Sequence, residues 1–454
     1  MGAGSMSEGL CGPISFVRSR VSAIRHPLAC MVLIGLSVRL MASMFQIVFD
    51  NDYWALVIRN IEAGEGLYGV VGYYYTPVWG YILGIVSAFQ STFLNLGMDV
   101  LRIPEFFFSE FIQGTYYSAT VPSILFSITV KMPLILSDLI MAFLIRYLVI
   151  DSTGSDSKGN RAFMLVFLCP LLIGVSCITT MPDTISAMFT LLTVVLIRKD
   201  HYFLAGMTFS VAVLTKFFPV FLLFPLVAYV LVRGGNLRSG AINVLFSMLG
   251  AILMSCIIFM PQLIEGSLDQ CFQFITDRTG NTYGDSLFDV IVGKLRIILY
   301  TLVLLASVYI ALRIYRAGNA NVSNNFMFGA FFTMAMCMLY PPTPQYIIVL
   351  IPFLVYWIVV NDERYLKSWW VISVFGFIFS LSSNLLILLP LSAWTSLIDI
   401  STLASWFSVM VSGSPSIATL WSTVFGTLTY LAILSIFVIK ICDWRKKEVL
   451  HSGH

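Results

Sequence analysis

The feature that most limits what this chain can fold into is a set of twelve apolar runs. They cover 28–48, 124–149, 162–179, 184–198, 203–215, 217–232, 240–261, 293–314, 325–341, 345–360, 368–390 and 417–441. About 20 apolar residues in a helix cross a hydrocarbon core roughly 30 Å thick. Polar and apolar residues do not alternate along these runs, so the spans are expected as helices and not as barrel strands. With 58% hydrophobic residues and a mean hydropathy of +0.90, the expected fold is all-α. It is a polytopic transmembrane helical bundle of about 12 spans, in a single domain over residues 1–454. No low-complexity tract, linker or internal repeat divides it. The pair 203–215 and 217–232 is short and reads as a hairpin that turns at Lys216 within the outer half of the membrane.

Charge sets the expected orientation. Placing the N-terminus inside puts 18 of the 26 Lys and Arg on inner segments, among them Arg18, Arg146, Arg161, Arg198, Arg233 and Lys440. Acids lean the other way, with fifteen of 23 outside or within the membrane. By the positive-inside rule both termini are cytoplasmic. Residues 1–27 then form the cytoplasmic N-terminus, 49–123 the first outer loop, 262–292 a second large outer loop and 442–454 a cytoplasmic tail. Residues 78–96 are apolar enough to cross, but a crossing there would turn Lys158, Arg161, Arg198 and Lys199 outward. They are expected instead as an interfacial helix of the outer leaflet. Arg18, Arg20 and Arg25 precede a first run too long for a signal-peptide core, so that run reads as a retained anchor.

Composition also narrows the function classes. A net charge of +3 does not suggest nucleic acid. The eight Cys form no CxxC pair, and most lie inside apolar runs, so neither a disulfide framework nor a zinc site is indicated. The four His (His26, His201, His451 and His454) all fall on the cytoplasmic side, which argues against a Ser-His-Asp hydrolase on the outer face.

Charged residues make up only 11% of the chain, so acids beside a membrane run stand out. Asp50-Asn51-Asp52-Tyr53 follows the first run and precedes Tyr73-Tyr74-Tyr75-Thr76-Pro77. A carboxylate there can serve as general base for a hydroxyl acceptor. The D-x-D spacing could also hold a divalent metal through oxygen ligands, but no third acid lies close in sequence and metal use stays open. Lys216, with apolar helix on both sides, is either a snorkelling lysine or a counter-ion to a lipid phosphate. Asp138 calls for a structural partner, and Arg39 in the first span is the natural one. Asp183 follows Pro182 at a helix start, where dipole complementation explains it as well as catalysis does. Arg278 is a candidate phosphate or sugar ligand. Asp50, Asp52, Asp183, Asp277, Arg278 and Gln345 all fall on outer segments and can line one cavity.

These residues resemble a known family. Asp50-x-Asp52-Tyr53, Gly66-x-Tyr68 and Tyr73-x-Tyr75-Thr76-Pro77-x-x-Gly80-x-x-Leu83 resemble the first outer loop of the catalytic subunit of GPI mannosyltransferase I. That subunit is a polytopic glycosyltransferase of the GT-C superfamily. The similarity continues through Lys131-x6-Asp138-Leu139, Asp183 and Lys216-Phe217-Phe218-Pro219 with Pro225, and ends at Pro344-Gln345-Tyr346 with Pro352. The resemblance implies an inverting transfer of a hexose, typically mannose, from a polyprenyl-phosphate donor to an acceptor hydroxyl at the outer or lumenal face. Asp50 would be the base, with Asp52 supporting it or binding the acceptor. Lys216 and Arg278 would hold the donor phosphate, and Tyr75, Asp183, Gln345 and Tyr346 would contact substrate. The partners implied are the lipid-linked donor, a lipid-linked or glycan acceptor, membrane lipids and, in some relatives, a small accessory membrane subunit. The membrane would be the plasma membrane of a prokaryote or the endoplasmic reticulum of a eukaryote. Where the family has Asn-Ala-Asp-Ser, this chain has Met181-Pro182-Asp183-Thr184, which leaves the acceptor open. The rival class is a secondary transporter or lipid flippase that uses Arg39, Asp138 and Lys216 as an intramembrane path.

Overall fold

The computed structural model describes residues 27–45, 48–69, 73, 75–94, 100–102, 120–272, 287–318, 321–338, 343–382, 387–388, 391, 395–413 and 415–452. These are almost entirely helical. Among them the only named strands are β1 (Val100–Arg102) and β2 (Thr120–Pro122), an antiparallel pair with Leu101 opposite Val121.

The first half of the chain contains α1 (Pro27–Ala42), α2 (Val48–Glu62), α3 (Pro77–Phe89), α4 (Ile124–Thr153), α5 (Asp156–Phe167) and α6 (Pro170–Ile173). A π turn, Gly174–Ile178, extends α6 before α7 (Asp183–Arg198) and α8 (Tyr202–Thr215). A 3-10 turn, Phe218–Leu222, leads into α9 (Leu223–Arg233), followed by α10 (Leu237–Glu265), α11 (Leu287–Ala317) and α12 (Val322–Cys337). A second 3-10 turn, Pro344–Val349, leads into α13 (Ile351–Val360); α14 (Leu366–Ser382), α15 (Ile400–Val411) and α16 (Ile417–Ser452) complete the order.

A helix or a broken helical pair thus coincides with each of the twelve apolar runs. Among the described residues, four stretches are long and apolar enough to cross a bilayer singly: Ile124–Thr153, Leu237–Glu265, Ile297–Ala317 and Ile417–Lys440. A fifth is counted if Asp156–Phe167 and Pro170–Ile178, bent by 45°, form one broken span. Pro170 lacks the N–H that would continue α5, which accounts for the break. The surface of α10 agrees with a membrane setting, since Leu245, Met248, Leu249, Ile252 and Leu253 are all exposed on it. So continuous an apolar face is suited to lipid.

Local chemistry sets the element ends. Ser123 accepts a bond from the Phe126 N–H at the start of α4, and Gly154 ends that helix in the left-handed region with φ 65°. Asn236 caps α10 in the same way at its start. Where α8 and α10 cross, Gly206 and Gly250 bring backbones into contact. A Cβ on Gly206 would lie 1.7 Å from the Ser247 carbonyl oxygen, and one on Gly250 would lie 2.0 Å from that of Phe203. Small residues at a crossing are how helices pack closely in a membrane.

Two details of the sequence reading change. The first helix stops at Ala42, and Asp50 falls in the first turn of a new helix, α2, not in a loop after a long span. Lys131 supplies a reason. Its Nζ, fully buried, donates to the carbonyls of Ser43 at 2.9 Å and Phe45 at 2.8 Å, so the backbone groups that would extend α1 bond to a side chain of α4 instead. Second, the segment expected as the first outer loop, 49–123, holds α2 and the β1–β2 pair besides the helix expected within it. The helix expected over 78–96 is present as α3 with a π turn from Gln90 to Leu94. It buries Val78, Trp79, Leu83 and Val86 against its neighbours.

Residues expected on inner segments pair with one another: Arg146 with Asp156, Arg161 with Glu363, Arg198 with Asp151, Arg233 with Asp200 and Arg364 with Asp362. Tyr81 of α3 and Gln262 of α10, both expected on outer segments, also meet, the Tyr81 hydroxyl donating to Gln262 Oε1 at 2.6 Å. Arg39 and Asp138 form a fully buried pair, Nε to Oδ2 at 3.0 Å, the pairing expected for Arg39. Ser176 Oγ donates to the same Oδ2 at 2.7 Å, and the guanidinium lies 4.1 Å from the Phe167 ring centre.

Candidate active site

Five of the residues singled out in the sequence meet at one place, although they come from widely separated parts of the chain. Lys216 is the centre. α8 ends at Thr215, and Lys216 has extended backbone, φ −148° and ψ 131°, so its side chain leaves the helix axis. Pro219 helps to end the helix, because it has no N–H to give to the Thr215 carbonyl. The last turn of α8 is fastened from two sides. Ser186 Oγ donates to the Ala212 carbonyl at 2.8 Å, and the Thr76 hydroxyl donates to the Leu214 carbonyl.

From there the Lys216 ammonium pairs with Asp183 Oδ2 at 3.4 Å. It donates to the Tyr75 hydroxyl at 3.5 Å and lies 4.6 Å from the Tyr75 ring centre and 5.4 Å from that of Tyr346. Tyr75 in turn donates to the Met181 sulfur at 3.7 Å. Tyr346 packs on Phe218, with ring centres 4.3 Å apart. Three helical segments therefore begin at the cluster: α7 at Asp183, the 3-10 turn at Phe218 and the 3-10 turn at Pro344. Helix starts present N–H groups and the positive end of the dipole, which favours an anion.

Asp50 completes the group. Its side chain is half-buried, and the charges acting on it are Lys216 and Asp183. Burial pushes its carboxyl up, Lys216 pulls it back and Asp183 pushes it up again, leaving it at about 7. A carboxyl poised there accepts a proton at neutral pH far more readily than an ordinary aspartate. Two carboxylates share one ammonium, so a proton held by Asp50 relieves the excess negative charge.

Asp52 is placed differently. Asp50 and Asp52 stand two apart on α2, where side chains at that spacing point to different faces. Asp52 is 3% exposed, next to Asn51, whose Nδ2 donates to Ser127 Oγ of α4 at 2.8 Å. Gln345 is half-buried beside Tyr346. Arg278 and Asp277 lie outside the described residues. Among the described residues, no group of three or more His, Cys, Asp or Glu could hold a metal ion.

Sequence reasoning missed Trp54. It lies four residues after Asp50 on α2, and that spacing was the available signal. Its indole Nε1 donates to the Thr180 carbonyl at 2.9 Å, just before Asp183. Lys131 stands out in the sequence only as part of a motif, and no local pattern signals its bonds to the end of α1.

No protein-family model matches the chain, and a search of curated proteins finds no match.

Proposed function

We propose that this protein is an inverting membrane glycosyltransferase of the GT-C kind. In this reading it crosses the membrane twelve times, with both termini on the cytoplasmic side. It moves a hexose, most simply mannose, from a polyprenyl-phosphate donor to a hydroxyl of a lipid-linked or glycan acceptor on the outer or lumenal face. The observation that carries the proposal is the convergence of Asp50, Tyr75, Asp183, Lys216 and Tyr346 on one cluster, with Lys216 against Asp183 at 3.4 Å.

The chemistry needs few groups. Asp50 takes the proton of the acceptor hydroxyl as its oxygen attacks the anomeric carbon. The bond from that carbon to the phosphate oxygen breaks, and the electron pair leaves with the phosphate. A phosphate needs little protonation to leave, so one base and a cationic partner suffice. Lys216 supplies the cation. The donor phosphate then competes with Asp183 for the ammonium, and Asp183 is freed to accept from a sugar hydroxyl. Tyr75 and Tyr346 flank the same space.

The transporter reading is less well supported. It needs Arg39 and Asp138 on a substrate path, yet both are fully buried and bonded to each other. The test is transfer of radiolabelled mannose from polyprenyl-phosphate-mannose in membranes containing the protein. Asp50→Asn abolishes it while expression persists; full activity in that variant removes Asp50 as the base.

A further inference from the structure

Trp54 and Asp50 stand one turn apart on α2 and share a face. The Trp54 side chain is 1% exposed and touches both halves of the site. On one side its ring meets Tyr75 edge-on, with centres 5.4 Å apart, and Trp79 at 5.6 Å. On the other its Nε1 donates to the Thr180 carbonyl at 2.9 Å. Thr180 has φ 55°, in the left-handed region that a β-branched residue rarely adopts. It closes the turn between the π turn Gly174–Ile178 and Asp183, three residues on. Such a conformation persists only where its surroundings hold it.

We propose that Trp54 is a positioning residue whose indole N–H holds the Thr180 turn and so sets the distance between Asp50 on α2 and the Asp183–Lys216 pair. The role in catalysis rests on the transfer reading given above; the geometric role does not. Without the N–H the buried Thr180 carbonyl loses its donor, and the turn relaxes toward backbone that threonine prefers. Asp183 moves with it, Lys216 loses its tether, and the charges acting on Asp50 change.

The cleanest variant replaces Trp54 with benzothienylalanine, which keeps the shape of the ring and puts sulfur in place of the N–H. Trp54→Phe is the second variant. In the full-length protein in detergent, the expected result is a fall in kcat of roughly ten- to a hundredfold with the donor KM little changed. The acid limb of the pH–rate profile shifts as well, a change that a merely structural role would not produce. A readout independent of activity is acylation of Lys216 by an amine reagent, followed by mass spectrometry, which becomes severalfold faster. A folded benzothienylalanine protein with the wild-type Lys216 labelling rate overturns the proposal. So does loss of folded protein in both variants, which would make Trp54 structural only. If the wild type itself transfers no sugar, the transfer reading fails and the labelling rate alone decides the positioning role.

Discussion

Replacing Asp50 by asparagine should stabilise the protein at alkaline pH while it removes activity. The folded carboxyl titrates at about 7, against 3.8 for an unperturbed aspartate, chiefly because it is buried. Between those values the folded state holds a proton that the unfolded state has lost. Stability therefore falls as pH rises from about 4 to about 7. A tenfold change in proton affinity corresponds to about 1.4 kcal/mol, so complete burial would cost the folded protein about 4 kcal/mol above pH 7. Asp50 keeps some contact with solvent, and screening lowers that figure to about 2 kcal/mol. Asparagine has a similar volume and no charge to desolvate. The assay is thermal unfolding in detergent micelles across roughly pH 4.5 to 8.5, the range that brackets the expected titration. Asp50→Asn and wild type should melt together at the acid end, with the variant melting progressively higher as pH rises. Parallel curves across that range would refute the reasoning, because they would mean that Asp50 titrates normally. A gain in stability paired with loss of transfer would mark Asp50 as a group kept for chemistry.

The Arg39–Asp138 pair offers a second test. Arg39→Met leaves a buried carboxylate without its cation and should cost about 3–5 kcal/mol, whereas Arg39→Met with Asp138→Leu should recover most of the loss. Denaturant titration of the purified variants reads both, and a neutral Arg39→Met would contradict the pairing. At the crossing of α8 and α10, Gly206→Ala and Gly250→Ala should each destabilise by about 1–3 kcal/mol through forced separation of the helices. Gly84→Ala, where nothing lies within 4 Å of the added carbon, serves as the tolerant control in the same melting assay. For orientation, a membrane-impermeant maleimide should label Glu65→Cys and spare Asp156→Cys in sealed, right-side-out vesicles. The opposite pattern would invert the proposed topology.

Much of the architecture was legible in the chain because lipid imposes a simple rule. A helix satisfies its own backbone, so apolar runs become helices wherever the bilayer is the solvent. The break at Lys216 was legible too, since a lysine and a nearby proline interrupt an apolar stretch. Which residues meet was less so. Tyr75, Asp183, Lys216 and Tyr346 are far apart in sequence, and nothing local states that three helix starts face one another. That Asp50 and Asp52 share one helix was readable only once a helix replaced the expected loop. Spacing i, i+2 means neighbours on a loop but different faces on a helix.

Composition and hydropathy pattern established that the chain is helical and apolar, where the main helical stretches lie, and which polar residues needed explanation. Tertiary structure decided which of them act together. Lys131 closes α1 from α4, Trp54 reaches Thr180 from α2, and Lys216 is shared by Asp183 and Asp50. Each contact joins segments tens of residues or more apart. The physical reason is that hydropathy and helix periodicity act within a few turns. The pairing of buried charges depends instead on distance and desolvation, and these exist only once the helices have packed.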